Sequence, residues 1–139
     1  MAYLLDTNVV SEIQKPRPAA AVLAWWDSVS AAEVFLSVLT IGEIRQGITR
    51  LAHRDPSRAA RYEQWHDALL ATFGDHIAPV DLAVAQLWGQ LSAATPTAEV
   101  DGLIAATAMA NGWTLVTRNV RHMARTGAPI LNPFESASA

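Results

Sequence analysis

The sequence predicts an α/β protein with a parallel sheet of about four to five strands flanked by helices. Short apolar runs alternate along the chain with longer segments in which apolar residues recur at helical spacing. This alternation favours parallel strand pairing with helices on both faces of the sheet. The chain has 139 residues, about half of them apolar. That is enough for one buried core, so a single domain over 1–139 is expected.

Polar caps and prolines divide the first half of the chain into elements. The apolar run before Asp6 is typical of a buried strand, and Pro18 is well placed to open a helix. In order, we predict a strand over 2–5, a helix over 9–14 capped by Thr7 and Asn8, a helix over 19–29, a strand over 34–38 and a helix capped by Thr40.

The second half has equally clear boundaries. Asp55 followed by Pro56 predicts a helix start, Asp81 predicts another, and Asn111 followed by Gly112 predicts a helix end. We predict a helix over 56–73, a weak strand over 77–80, a helix from 82 that ends at 95–97, a helix over 99–110, and strands over 113–117 and 130–131. The last residues, from about 135 to 139, are expected to be a frayed tail.

Three acidic residues are predicted to meet at one edge of the sheet. Asp6 ends the first strand, while Glu43 and Asp101 are placed in the first turns of later helices. Ligands of parallel α/β sheets bind outside the carboxyl ends of the strands. Clustered carboxylates repel one another unless a cation is present, and oxygen donors without cysteine favour Mg²⁺ or Mn²⁺. The pattern therefore predicts a metal site able to polarise a phosphoryl oxygen and activate water.

Each of these acids also has an ordinary structural interpretation. Asp6 could cap a helix, Glu43 could lie on a solvated helix face, and Asp101 could interact with a helix dipole. Glu12 is predicted to lie on a solvated face, although contact with the acidic site is the alternative. The coincidence of three acids at the expected edge favours the metal site.

Several other classes are excluded by residues that the sequence lacks. There is no cysteine, which excludes disulfides, thiolate metal sites and cysteine nucleophiles. Lys15 is the only lysine, so the late lysine of a receiver domain is missing, and Asn8 stands where a haloacid-type phosphatase has its second acid. The N-terminal apolar run is too short for a signal peptide, and no run approaches a membrane span. We therefore expect a cytoplasmic protein without a membrane segment.

Basic residues are concentrated in two stretches, although the formal net charge is −3. The segment 102–134 contains no acid, and its Arg118 and Arg121 are candidates for phosphate contacts. His122 in the same segment is a candidate for a phosphate contact, a general acid or a plain surface histidine. Solvated helix faces are the alternative for all these residues, including the second basic stretch, which consists of Arg45, Arg50, His53, Arg54, Arg58 and Arg61.

Five segments, in order, resemble the motifs of one nuclease family. They are LDTNVVSE at 5–12, LSVLTIGEI at 36–44, DGLIAATA at 101–108, LVTRN at 115–119 and LNPF at 131–134. Together they resemble PIN-domain ribonucleases over nearly the whole chain. The length and motif style are similar to the VapC-type toxins of prokaryotic type II toxin–antitoxin pairs, especially the FitB-like branch.

The resemblance implies a three-layer PIN-like fold and an Mg²⁺- or Mn²⁺-dependent endoribonuclease that cleaves RNA phosphodiester bonds with metal-activated water. Asp6, Glu43 and Asp101 carry over as the catalytic, metal-binding carboxylates. Asn8, Thr117 and Asn119 are expected to support them or position water. Many relatives have aspartate at position 119 and an acid at 122, so binding of a second ion is expected to be weak here. A catalytically weak PIN-like module that binds an antitoxin or RNA is the alternative.

The resemblance also implies partners. A small DNA-binding antitoxin encoded nearby, an RNA substrate and a homodimer are expected. The antitoxin is expected to place an arginine at the acidic edge. Five apolar residues are expected to contact the antitoxin, and the alternative is that they belong to the core of this chain. They are Val9, Val10, Ile13, Val22 and Trp26. The five tryptophans are expected to be mostly core residues, although one or two could stack on bases or contact a partner.

Overall fold

A computed structural model describes residues 1–135, and the expected tail lies outside the described residues apart from Glu135. Strands and helices alternate in the described chain as the sequence predicts. In order they are β1 (Tyr3–Leu5), α1 (Thr7–Ile13), α2 (Ala20–Ser28), β2 (Val34–Ser37), α3 (Val38–Ala52), α4 (Pro56–Phe73), β3 (Ile77–Ala78), α5 (Leu82–Ala94), α6 (Glu99–Asn111), β4 (Thr114–Val116), α7 (Val120–Ala124) and β5 (Ile130–Leu131).

The five strands of the described chain form one parallel sheet in the order β3-β2-β1-β4-β5. β1 lies at its centre, with Tyr3 opposite Val34 of β2 and Leu5 opposite Val116 of β4. The chain first extends the sheet on the β2 side and later on the β4 side, so the strand order reverses beside β1. A crevice opens at the carboxyl ends of strands where the order reverses. Asp6, directly after β1, lies at that point.

Side chains of the central strand alternate between two cores. Leu5 packs with residues of α1, α3 and α4 on one face of the sheet, and Leu4 packs with residues of α6 and α7 on the other. Both leucines are almost completely buried, and each such burial stabilises the fold by about 1.5–3 kcal/mol. The sheet is therefore the middle of three layers, which confirms the predicted architecture.

Three predicted helix boundaries are confirmed by their caps. Asp55 accepts a hydrogen bond from the backbone N–H of Arg58 at 3.2 Å, with Pro56 in the first helical turn. Asp81 accepts one from Val84 at 2.9 Å and opens α5. Gly112 ends α6 in the left-handed conformation, with φ of 71°, which is accessible to glycine without a Cβ clash.

Two predicted caps are wrong. α3 begins two residues before Thr40 because the hydroxyl of Ser37 accepts the N–H of Leu39 at 3.0 Å, and Thr40 is buried inside the helix. α1 begins at Thr7 because Asp6 is its N-cap and accepts the N–H of Thr7. In both cases the chain passes from strand to helix without a linker, so the last strand residue or its neighbour serves as the cap.

The helix lengths explain one element that the sequence did not predict. α7 has five residues, too few to show a helical apolar period.

The longest helix, α4, has 18 residues and carries many charged side chains. Among the helices that the structure describes, none is long and apolar enough to cross a membrane.

The tryptophans are less buried than expected. All five are half-buried, and four of them pack against the two cores: Trp25, Trp26, Trp65 and Trp113. The fifth, Trp88 on α5, has a buried Nε1 without a hydrogen-bond partner among residues 1–135.

Candidate active site

Asp6 is the most firmly held of the three predicted carboxylates. Its residue surface is 5% exposed. Oδ1 accepts the backbone N–H of Thr7 at 2.8 Å, and Oδ2 accepts the hydroxyl of Thr117 at 2.8 Å. Asp6 therefore caps α1 and faces the crevice at the same time, so the two interpretations of this residue are compatible.

The ionised form of Asp6 is electrostatically disfavoured in this structure. Burial raises the pKa of Asp6 above its usual value, and the nearby charges of Asp101 and Glu43 raise it further, while the hydrogen bonds from Thr117 and Thr7 lower it. The two other acids are thus close enough to act on Asp6. A bound cation would favour the ionised form by offsetting the repulsion.

Glu43 reaches the site from α3. It is half-buried, and its Oε1 accepts the hydroxyl of Thr7 at 2.5 Å. The same Thr7 hydroxyl lies 3.2 Å from the hydroxyl of Thr40. Glu43 lies in the second turn of α3, not the first as predicted, because α3 begins at Val38. Thr7 was not among the predicted site residues, although its position directly after Asp6 is a usable signal.

Asp101 lies in the first turn of α6, as predicted, and is half-buried. The residue that follows it has to be small. A Cβ on Gly102 would lie 2.5 Å from Oγ1 of Thr97 and 3.2 Å from Cδ1 of Trp88. Glycine at position 102 therefore allows Thr97 and Trp88 to pack directly against the first turn of α6, next to Asp101.

The three carboxylates do not form a compact set of ligand atoms in this structure. Among residues 1–135, one group of acidic or histidine side chains has donor atoms that all lie within 4.8 Å of one another, and that group is Glu63, His66 and Asp67. At least one pair among Asp6, Glu43 and Asp101 is therefore separated by more than 4.8 Å. Their mutual repulsion gives a physical reason for this spacing.

The predicted supporting residues are connected to Asp6 to different degrees. Thr117 bonds it directly. Asn8 lies beside it, with Nδ2 3.4 Å from Oδ2 of Asp6 and Oδ1 accepting the N–H of Arg118 at 3.1 Å. Asn119 is connected only through its backbone, whose N–H donates to the hydroxyl of Thr117 at 2.9 Å. Asn119 precedes α7 and makes no side-chain capping bond to it.

The basic side chains near this edge are exposed. The guanidinium carbon of Arg118 lies 4.5 Å from the ring centre of Phe134, and Arg121 and His122 are on the exposed surface of α7. Such positions leave all three side chains accessible from solvent.

A groove of about 280 Å³ begins at Glu43 and Thr7 and runs between α3 and α4. Two arginines of the second basic stretch, Arg54 and Arg58, line it together with the aromatic residues Tyr62 and Trp65. The guanidinium carbon of Arg58 lies 5.7 Å from the ring centre of Tyr62. Ile44, Ile48 and Leu51 make the floor of the groove apolar, while the two arginines can contact phosphates and the two aromatic rings can stack on bases.

Glu12 does not lie on a solvated face as predicted. It is 8% exposed, and its carboxylate accepts Nζ of Lys15 at 2.8 Å and the backbone N–H of Ala19 at 2.9 Å. These bonds lower the pKa of Glu12 and connect the end of α1 to the start of α2.

The donor set at the crevice fits a hard divalent cation. Asp6, Glu43 and Asp101 offer only carboxylate oxygens, and the neighbouring Asn8, Thr7 and Thr117 add amide and hydroxyl oxygens. Mg²⁺ and Mn²⁺ bind such oxygen ligands and retain water molecules in their remaining positions.

The comparisons with known proteins agree with this geometry. The toxin FitB of Neisseria gonorrhoeae is 34% identical over 136 residues, which cover 94% of this chain and 97% of FitB. The VapC ribonuclease Y4jK of Sinorhizobium fredii is 33% identical over 139 residues, covering 96% and 99% of the two chains. The crystal structure of FitAcB from Neisseria gonorrhoeae superposes with a TM-score of 0.83 at 33% identity, covering 96% of this chain and 99% of that one.

The family match extends over almost the whole described chain. Residues 3–129 match the PIN domain, a span that runs from the first residue of β1 to just before β5. It includes the segments that contain Asp6, Glu43 and Asp101. Nucleases of this kind generally use a divalent metal ion. The chain belongs to the PIN-domain family.

Proposed function

We propose that this chain is an Mg²⁺- or Mn²⁺-dependent endoribonuclease and the toxin of a toxin–antitoxin pair. The observation that carries the proposal is the buried carboxylate of Asp6 at the strand-order reversal, with the charges of Glu43 and Asp101 close enough to raise its pKa. The names of the relatives, a toxin and a ribonuclease, support it.

The three carboxylates would hold the ion from three separate segments of the chain. A divalent ion held there would supply Lewis-acid chemistry, since such ions polarise a phosphoryl oxygen and make water a better nucleophile. Thr117 and the N–H of Thr7 hold the two oxygens of Asp6 in fixed directions, so this ligand is oriented before the ion arrives. The hydroxyl of Thr7 orients Glu43 in the same way.

The RNA strand would approach along the groove between α3 and α4. Arg54 and Arg58 line that groove and would contact phosphates, while Tyr62 and Trp65 offer aromatic faces for bases. On the other side of the site, the exposed Arg118 and Arg121 are the proposed phosphate contacts of the C-terminal segment. Asn119 would position a water molecule through its neutral amide.

An antitoxin is the proposed protein partner, because a ribonuclease made in its own cell has to be held inactive. An arginine of the antitoxin, placed at the acidic edge, could bond two carboxylates. Of the five apolar contacts expected from the sequence, Val9, Val10 and Val22 are buried in the chain itself. Ile13 and Trp26 are only half-buried, line a surface cavity of about 380 Å³ together with Val10, and remain candidates. A homodimer, a cytoplasmic location and a single domain are further parts of the proposal.

Replacement of Asp6 by asparagine tests the function. Asparagine is as good an N-cap as aspartate, so Asp6→Asn should fold normally while Mn²⁺-dependent cleavage of RNA falls to the background level. Asp27→Asn on the exposed surface of α2 is the matched control and should cleave at the normal rate. Full activity of Asp6→Asn would overturn the site. Absence of metal-dependent cleavage in the unmodified chain would favour the non-catalytic module.

A further inference from the structure

A second group of possible metal ligands lies on α4, outside the crevice. Glu63, His66 and Asp67 are spaced i, i+3 and i+4, so they share one face of the helix. One donor atom from each lies within 4.8 Å of the other two. The neighbouring residues Tyr62 and Trp65 line the groove described above, so the cluster is on the adjacent side of the same helix.

The histidine in this group is buried and has no hydrogen-bond partner for one ring nitrogen. The side chain of His66 is 7% exposed, and its Nδ1 is without a partner among the described residues. Nδ1 faces Oε2 of Glu63 at 3.7 Å and Oδ1 of Asp67 at 3.6 Å. These separations are too long for hydrogen bonds. They suit two ligands of one ion, since donors about 2.1 Å from a tetrahedral ion are roughly 3.4 Å apart.

Another contact already holds Glu63 in position. Arg45 of α3 donates one hydrogen bond to Oε1 of Glu63 at 2.8 Å and another to Oε2 at 2.6 Å. The Oε2 that faces His66 therefore shares its lone pairs with Arg45 and is fixed in direction by it. Asp67 is 72% exposed on its side chain, so it can move aside while an ion enters. The cation on Arg45 offsets one of the two acidic charges, which leaves one carboxylate charge and an imidazole nitrogen for the ion.

We propose that Glu63, His66 and Asp67 form a binding site for a divalent transition-metal ion of the Zn²⁺ type. The imidazole nitrogen selects this class, because Zn²⁺, Ni²⁺ and Cu²⁺ bind imidazole well, whereas Mg²⁺ and Ca²⁺ prefer oxygen donors. Water completes the coordination on the exposed side of the helix. The bound ion connects three side chains of one turn of α4 and so stabilises this helix, whose aromatic residues line the groove.

The full-length protein can be titrated with Zn²⁺ in the presence of excess Mg²⁺, with the histidine ring nitrogens followed by ¹H–¹⁵N NMR. One equivalent of Zn²⁺ should shift Nδ1 of His66 and leave His53, His76 and His122 unchanged. The same shift should appear in Asp6→Asn, which weakens any Zn²⁺ binding at the crevice. Glu63→Gln and Asp67→Asn should each weaken Zn²⁺ binding by about tenfold or more by calorimetry, while Asp27→Asn should not.

Three results would overturn the site. They are a shift at a histidine other than His66, Zn²⁺ affinity that is unchanged in both Glu63→Gln and Asp67→Asn, and an absence of Zn²⁺ binding at micromolar protein concentration. Asp67→Asn keeps the test valid if Glu63→Gln destabilises the fold through loss of the Arg45 contact, because the Asp67 side chain is largely in solvent.

Discussion

The two acidic groups of this molecule differ in how the chain assembles them. The crevice group takes Asp6, Glu43 and Asp101 from the end of a strand and from two helices, so only the complete sheet brings them together. The α4 group takes Glu63, His66 and Asp67 from a single helical turn. The first group offers oxygen donors alone, and the second includes a buried imidazole.

This difference shows what each group depends on. The crevice carboxylates are oriented by hydrogen bonds from distant segments, such as that from Thr117 to Asp6, a separation of 111 residues. The α4 group depends on helix geometry and on one exposed ion pair with Arg45. A change in the tertiary contacts of the crevice should therefore alter RNA cleavage and the free energy of unfolding strongly. A change at the Arg45–Glu63 ion pair should have little effect on either quantity.

Among the changes around the carboxylates that test this comparison, Thr117→Val should have the largest effect. It keeps the shape of a buried side chain and removes its hydroxyl. Asp6 loses a donor and the N–H of Asn119 loses its acceptor, so the free energy of unfolding should fall by about 1–3 kcal/mol. Cleavage should fall by about 10–100-fold. Because the Thr117 bond lowers the pKa of Asp6, its loss raises that pKa further, and the acidic limb of the rate–pH profile should move to higher pH.

Thr107→Val is the control for this prediction. Thr107 is also buried, but its hydroxyl bonds the carbonyl of Leu103 within α6. Urea unfolding should detect a modest loss of stability, and the rate–pH profile should keep its position. If the acidic limb of Thr117→Val stayed in place, the proposed role of this hydroxyl in holding ionised Asp6 would be wrong.

A smaller effect is expected from Asn119→Asp, which adds a charge at the edge of the crevice. A neutral amide cannot offset a second divalent ion, so the unmodified protein should bind one ion tightly and recruit a second with the substrate. The added carboxylate should lower the Mn²⁺ concentration for half-maximal cleavage by about two- to fivefold, the scale of an exposed charge pair. The maximal rate need not rise, because tighter ground-state binding does not stabilise the transition state.

Gln90→Glu on the exposed surface of α5 adds the same charge away from the crevice and should leave the Mn²⁺ dependence unchanged. Calorimetric titration of Asn119→Asp and Gln90→Glu with Mn²⁺ would show whether only a charge at the crevice strengthens ion binding. Two equally tight Mn²⁺ sites at the crevice of the unmodified protein would show that the fourth acid is dispensable.

The smallest effect is expected from Arg45→Met at the other group. Both partners of the Arg45–Glu63 pair are more than 40% exposed, and solvent and salt screen such surface pairs so that they contribute little to stability. A double-mutant cycle with Glu63→Gln, followed by urea unfolding, should give a small coupling energy, and RNA cleavage should be unchanged. A large loss of cleavage would show that α4 positions the catalytic edge more directly than this comparison allows.

The sequence predicted the crevice better than the surface of α4 for a physical reason. Asp6 and Asp101 were placed correctly because parallel strands end at a common edge and because helix starts have recognisable caps. The position of Glu43 within α3 was wrong by one turn, since Ser37 rather than Thr40 caps that helix. Either residue is a good N-cap by type, and only the tertiary structure chooses between them.

The α4 group was not recognised because its pattern is ordinary. Two acids flanking a histidine on a charged helix are typical of a solvated face, and the burial of His66 depends on how α4 packs against its neighbours. Glu12 was misjudged for the same reason, since its bond to the N–H of Ala19 forms only when α1 and α2 meet. Local spacing predicts which residues share a face, but not which face is buried.

The central claim is that the crevice carboxylates bind the divalent ion used in RNA cleavage. Anomalous diffraction from crystals soaked in Mn²⁺ tests it most directly. A Mn²⁺ peak is expected within ligand distance of Asp6, on the side that faces Glu43 and Asp101, and this peak should be lost in Asp6→Asn. Mn²⁺ bound only at Glu63, His66 and Asp67, or a peak that persists unchanged in Asp6→Asn, would contradict it.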